Sequence, residues 1–219
     1  MGQVVLDQDD LAKRLKVYKV GGKRIVLTNG CFDLIHVGHI RCLQDAAKRG
    51  DCLVVAINSD ASVRALKGSG RPFQSQAERA EILAAIEGVS YVTVFDEPTV
   101  GPLLRRLRPS LLAKGTDYTV ENLPEKEVLV EIGAELVVVG DKKSHSTRDL
   151  MRKVHSAYVA AHPKPKGQSD GKASSARFPK GPARVTSKGG GRLARPARSA
   201  AAAALAKRRG KVAASQAHA

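Results

Sequence analysis

Tryptophan is absent from this 219-residue chain, and aromatic residues make up 4% of it. No apolar run approaches the roughly 20 residues that a membrane-spanning helix needs, which argues against a transmembrane segment. Cysteine is also scarce. Cys31, Cys42 and Cys52 are odd in number and form no CxxC pair, so they read as small packing residues in a reducing, cytoplasmic setting, not as a disulfide or zinc framework. No secretory signal is expected either, because the chain soon turns acidic at Asp7, Asp9 and Asp10. Gly2 stands where a myristoyl acceptor would, but Leu6 occupies the position that needs Ser or Thr. Acidic residues are almost missing from one region. Residues 160–219 carry 14 Lys+Arg against 1 acid, net +13, whereas residues 1–159 carry 23 against 20, net +3. The formal charge of +16 therefore belongs to the tail.

Hydrophobic residues, at 42%, suffice for a core, and the length suits one domain, 1–160, with an extension, 161–219. Continuous apolar runs at 24–27, 52–57, 91–95, 111–114 and 136–139 read as strands buried on both faces. Between them lie helical patterns at 37–49, 76–87, 100–107 and 124–132. A short helix at 10–17 precedes the first strand, and a last one covers 147–160 with Leu150, Met151, Val154 and Tyr158 on one face. A polar loop with glycines is expected through 67–72. Strands alternating with helices predict an α/β, Rossmann-like parallel sheet with helices on both faces. Ligands of such sheets gather beyond the carboxyl ends of the strands, so the polar residues that follow each strand should converge. Here those are 29–39, Asn58-Ser59-Asp60, Asp96-Glu97, 114–117 and 140–147.

The most informative stretch is Thr28-Asn29-Gly30-Cys31-Phe32-Asp33-Leu34-Ile35-His36-Val37-Gly38-His39-Ile40, between a strand and a helix. His36 and His39 share a face on the first helical turn, and Gly38 leaves room for close approach of a ligand. Unpaired N–H groups and the positive end of the helix dipole favour phosphate there, and two imidazoles can donate to phosphoryl oxygens as charge builds. A metal pair is disfavoured: the spacing is not HExxH, no Glu base lies between, and no third ligand is near in sequence.

These segments, with Asn58-Ser59-Asp60, Lys67-Gly68, the region 76–83 around Glu78-Arg79, and Lys114-Gly115-Thr116-Asp117-Tyr118, resemble nucleotidyltransferases of the cytidylyltransferase type. The likeness is greatest to the adenylyltransferase domain that converts heptose 1-phosphate to ADP-heptose. It implies that His36 and His39 hold the phosphates of ATP and stabilise the transition state, aided by Lys67 on a mobile loop. Cys31, Phe32, Gly38, Asp117, Ser146 and Thr147 would complete the nucleotide site. Asn58, Lys67, Arg79 and Lys114 would meet substrate or phosphate. Taken alone, Lys67 reads as a solvated loop charge, Arg79 as a helix-surface partner of Glu78 or Glu81, and Asp117 as a cap of the next helix. Mg²⁺ is expected with ATP, held mainly by the phosphates, since no carboxylate cluster marks a protein metal site. The chain departs from the family's Ser-Thr-Thr or Ser-Thr-Ser step, reading Ser144-His145-Ser146-Thr147-Arg148. Arg148 either adds a cation to the triphosphate or weakens a hydroxyl contact.

Glycerol-3-phosphate cytidylyltransferase and FAD synthetase activities are the enzymatic alternatives, and a homodimer is compatible with the pattern. The tail, rich in Lys, Arg, Ala, Gly, Pro and Ser, cannot bury enough surface to offset chain entropy and is expected to be disordered. It suits nucleic acid or another polyanion, so a nucleic-acid-binding protein is the alternative of a different class. A retained histidine pair with Lys67, Arg79 and Asp117 favours the enzyme.

Overall fold

The computed structural model describes residues 1–119, 121–141 and 146–162. The expected tail beyond residue 162, and Ser144 and His145 of the last motif, lie outside the described residues. Helix α1 (Gln8–Val20) begins where the Asp7 carboxylate accepts from the backbone N–H groups of Asp9 and Asp10 at 2.8 and 3.1 Å, satisfying two orphan donors of the first turn. It outruns the expected 10–17 at both ends. Its last turns carry Val17 and Val20 into solvent, 75% and 89% exposed, so they show no apolar periodicity.

Strands β1 (Gln3–Val4), β2 (Ile25–Gly30), β3 (Cys52–Asn58), β4 (Tyr91–Phe95), β5 (Leu111–Gly115) and β6 (Glu135–Val139) form one parallel sheet in the order β1-β4-β3-β2-β5-β6. Helices α2 (Val37–Ala47), α3 (Asp60–Lys67), α4 (Gln76–Ala84), α5 (Gly101–Leu107), α6 (Lys126–Ile132) and α7 (Thr147–Ala161) connect and follow them. Two elements were not expected. Strand β1 is too short to show a pattern and exists through pairing, Gln3 N–H donating to Ser90 and Val5 N–H to Val92. Helix α3 replaces part of the anticipated loop. Ser59 caps it by accepting from Ser62 N–H at 3.1 Å, and Gly68 ends it with φ +92°, so Lys67 is the last residue of a helix.

Alternation along the strands sends side chains to two cores. Ile25, Leu27, Val54 and Ala56 meet Leu11, Leu15, Leu103, Leu104 and Leu107 on one face. Val26, Leu53, Val55 and Ile57 meet Leu43, Ala46, Ala80 and Leu83 on the other. Burial on both sides explains why β2, β3 and β5 read as continuous apolar runs; β6, expected to be buried likewise, lies at the sheet edge and leaves Val138 43% exposed. Connections progress from β2 through β3 to β4, then return to place β5 on the far side of β2. That reversal opens a crevice beyond the carboxyl ends of β2 and β5. Helix α7 buries none of its residues; Leu150, Val154 and Tyr158 are exposed. Among the described residues no helix is long and apolar enough to cross a membrane.

Leu27 is fully buried in the central strand. Leu27→Ala is expected to destabilise the fold by about 2–5 kcal/mol in urea denaturation; a loss below about 1 kcal/mol would contradict its placement in the core.

Candidate active site

The chain leaves β2 through a turn in which Phe32 adopts φ +46°, a left-handed conformation that is a steric outlier for a bulky residue. Surrounding groups hold it. The Arg79 guanidinium donates to the Cys31 carbonyl at 2.6 Å, to the Gln74 carbonyl at 3.1 Å and to the Asp60 carboxylate at 2.8 Å. On the other side of the turn, the Asp33 carboxylate accepts from Phe73 and Gln74 N–H at 2.6 and 3.3 Å. Asp33 also pairs with Arg71 at 2.7 Å, an ion pair whose angle falls outside hydrogen-bond geometry. Arg71 in turn donates to Met151 Sδ at 3.2 Å and lies over the Phe73 ring.

The turn delivers His36 and His39 to the amino end of α2. Their rings stack, with centroids 3.9 Å apart and planes at 23°, and Phe32 leans on His39 at 5.4 Å. His36 N–H donates to His39 Nδ1 at 3.3 Å. That bond requires an unprotonated Nδ1, which leaves the proton on Nε2 as a donor. Burial, and then the neighbouring His36, lowers the His39 pKa from 6.5 to about 4. The ring is therefore neutral at physiological pH.

A cavity of about 650 Å³ opens over this pair. Its walls bring together Cys31, Phe32, His36, Gly38, His39, Lys67, Lys114, Asp117, Ser146 and Thr147, which come from the ends of β2, α3 and β5 and the starts of α2 and α7. Lys114 Nζ donates to Asn29 at 2.7 Å and to Glu125 at 3.4 Å. Burial pushes its pKa down, and Glu125 opposes that. Ser146 caps α7, accepting from Asp149 N–H at 3.1 Å and donating to the Asp149 carboxylate at 2.6 Å. Thr147 donates to the Leu34 carbonyl at 3.3 Å, tying α7 to the histidine loop. Arg148 and Arg152, one turn apart on α7, also line the cavity.

Two expected contacts fall elsewhere. Arg79 is 0% exposed and absent from the cavity wall. It is not a helix-surface charge: its three acceptors are the Cys31 and Gln74 carbonyls and the Asp60 carboxylate. Asn58 is buried, donating to Ser62 at 3.0 Å and accepting weakly from the Cys31 thiol at 3.7 Å. The expected convergence of strand ends is also narrower than anticipated, since residues 58–60, Asp96 and Glu97 do not line the cavity. Strands β3 and β4 run on one side of the reversal, away from the β2–β5 crevice. Sequence reasoning missed Asp33–Arg71 and Glu125 as partners. Charges far apart in sequence carry no local signal, although the burial of Asp33 follows from its place in the turn.

A smaller cavity of about 440 Å³ lies at the opposite end of the sheet, with Lys19, Arg24 and Arg108 on its wall. Lys19 answers a helix carboxyl end there, donating to the Leu107 carbonyl at 2.6 Å, and Arg24 pairs with Glu135 at 3.6 Å.

A doubly covered parallel sheet, with a polar crevice at the strand-order reversal and a helix amino end facing it, defines a Rossmann-like nucleotide-binding domain. Residues 27–162 match the sequence model described as cytidylyltransferase-like, and the chain belongs to that family. It is 47% identical over 154 residues to the bifunctional protein HldE of Geobacter sulfurreducens, covering 70% of this chain and 31% of that protein. It is 48% identical over 151 residues to HldE of Geotalea uraniireducens, covering 69% and 31%. The chain thus spans about a third of the length of these curated relatives. A lipopolysaccharide core biosynthesis protein from Thermoplasma volcanium superposes with a TM-score of 0.47 at 23% identity, over 56% of this chain and 100% of that one.

Between the two His39 values the unfolded chain binds the extra proton, so stability from this group is present above pH 6.5 and lost as pH falls towards 4. Urea midpoints of the wild type and His39→Gln are therefore expected to shift in the variant's favour between about pH 7 and pH 5. A difference that stays constant with pH would return His39 to an ordinary, solvated titration.

Proposed function

We propose that the chain is an adenylyltransferase that transfers AMP from ATP to a sugar 1-phosphate, D-glycero-β-D-manno-heptose 1-phosphate, giving ADP-heptose and pyrophosphate. The reading rests on the stacked His36–His39 pair at the amino end of α2, faced by Lys67 and Lys114 across one cavity, together with the likeness to HldE proteins.

The sugar phosphate is already an anionic nucleophile, so the barrier lies in bringing two polyanions into line at the α-phosphorus. Its oxygen attacks that phosphorus while the bond to the pyrophosphate oxygen breaks, and pyrophosphate leaves with the electron pair. Neutral His39 donates from Nε2 to a phosphoryl oxygen without the cost of burying its own charge. The amino ends of α2 and α7, with Lys67, Arg148 and Arg152, offset the charge of the triphosphate. Among the described residues no three metal-ligating side chains converge. Mg²⁺ is read as arriving on the nucleotide, where it neutralises phosphate charge.

The domain is read as ending near residue 160, with the basic tail as an electrostatic hold on nucleic acid or another polyanion. Binding of the full chain to duplex DNA should then weaken steeply as salt rises; salt-independent binding, or none, would remove that role.

Pyrophosphate release by the full chain with Mg²⁺, using ATP or CTP against heptose 1-phosphate, glycerol 3-phosphate and FMN, tests the main reading. ATP with heptose 1-phosphate should turn over, and preference for another pair would replace the substrate. His36→Ala or His39→Ala should lower kcat/KM about a hundredfold or more while the protein stays folded, since one donor at developing charge is worth about 3 kcal/mol. Rates within about tenfold of wild type would sink the histidine assignment.

A further inference from the structure

We propose that Arg79 is a positioning residue of the nucleotide site: it pins the left-handed turn at Phe32 and, through Asp60, the helix that carries Lys67, without touching ligand. This rests on the nucleotide-site reading above.

The geometry that carries it is a single guanidinium with all its reach spent inside the protein. Arg79 is 0% exposed. Nη1 donates to the Cys31 carbonyl at 2.6 Å, the residue immediately before left-handed Phe32. Nη2 donates to the carboxylate of Asp60, the first residue of α3, at 2.8 Å. Nε donates to the Gln74 carbonyl at 3.1 Å, and Gln74 N–H is itself held by Asp33 on the far side of the turn. Cys31 and Phe32 form one wall of the cavity, and Lys67, at the other end of α3, forms another. Both walls thus hang from the same buried cation.

A turn in a sparsely populated conformation persists when its surroundings over-determine it. Removing one tie should therefore let residues 31–33 relax towards a less strained backbone. Three separate nitrogens of the guanidinium meet the three acceptors, whereas a lysine ammonium sends its three donors from a single nitrogen and cannot reach all three at once. Lysine at position 79 is thus expected to fail almost as fully as glutamine, although it keeps the charge.

The Cys31 thiol reports the turn without any need for activity. It is half-buried, burial pushes its pKa up, and it belongs to the residue whose carbonyl Arg79 holds. Cys42, half-buried on the same cavity wall and held by no bond from Arg79, serves as the internal reference. Iodoacetamide labelling of the nucleotide-free full chain, read peptide by peptide by mass spectrometry, is compared for wild type, Arg79→Lys and Arg79→Gln. Cys31 labelling relative to Cys42 is expected to rise about tenfold in both variants, on the order of one lost charge-assisted hydrogen bond. The KM for ATP should rise by a similar factor, with the KM for the sugar phosphate little changed.

Unchanged Cys31 labelling in the two variants would overturn the proposal, and if the ATP KM still rose, Arg79 would be a ligand contact instead. If both variants fail to fold, Asp60→Asn, which leaves the guanidinium but removes its counter-charge, should still speed Cys31 labelling, and no change there would equally overturn it. Should the wild type turn over no substrate while labelling rises as expected, the positional role stands and the adenylyltransferase reading alone falls.

Discussion

A phenylalanine held in the left-handed region between β2 and α2 is the constraint on which the rest of the cavity depends. The strand arrives buried on both faces, and the chain must turn within a few residues to aim the amino end of a helix back over the sheet edge. Phe32 makes that turn at a local cost of about 1–3 kcal/mol. Charge-assisted hydrogen bonds, each worth about 1.5–3 kcal/mol, meet the turn from Arg79 on one side and Asp33 on the other. Together they exceed the strain. Burying an arginine has its own desolvation cost, so the return appears as geometry more than as net stability.

Once the turn is set, the electrostatics of the cavity follow from burial. His39 lies too deep and too close to His36 to carry a proton at neutral pH, which makes it a directed donor and not a diffuse cation. Lys114 is more deeply buried, 6% exposed, but keeps a carboxylate and an amide oxygen as partners. Lys67, Arg148 and Arg152 lie nearer the mouth, where charge is cheap to solvate. A polyanion entering from solvent would thus meet cations first and oriented N–H donors last.

Much of this was legible in the sequence for a local reason. Short β-branched and aliphatic runs such as 52–57, bounded by polar residues, read as strands covered on both faces, and the HxGH step at 36–39 puts two imidazoles on one turn once that segment is helical. Helix α3 was missed although Ser59, Val63 and Gly68 mark its cap, face and end. It is only eight residues long, and the polar residues before it and the glycines after it drew the reading towards a loop. Strand β1 has no local signal, being two residues long and defined by its partner.

Arg79 marks the boundary between the two kinds of knowledge. Its residue type, and its place on a helix between β3 and β4, suit a phosphate contact equally well as a buried tie. The sequence by itself determined the alternation of strands and helices, the histidine pair and the confinement of excess charge to the tail, because each depends on neighbours in the chain. Only the tertiary structure decided which strand ends meet, and that Arg79 spends its donors on Cys31, Gln74 and Asp60 while Lys114 faces the cavity. Those outcomes depend on strand order and on partners up to 85 residues away, and no local pattern encodes the direction in which a long side chain finds its acceptors.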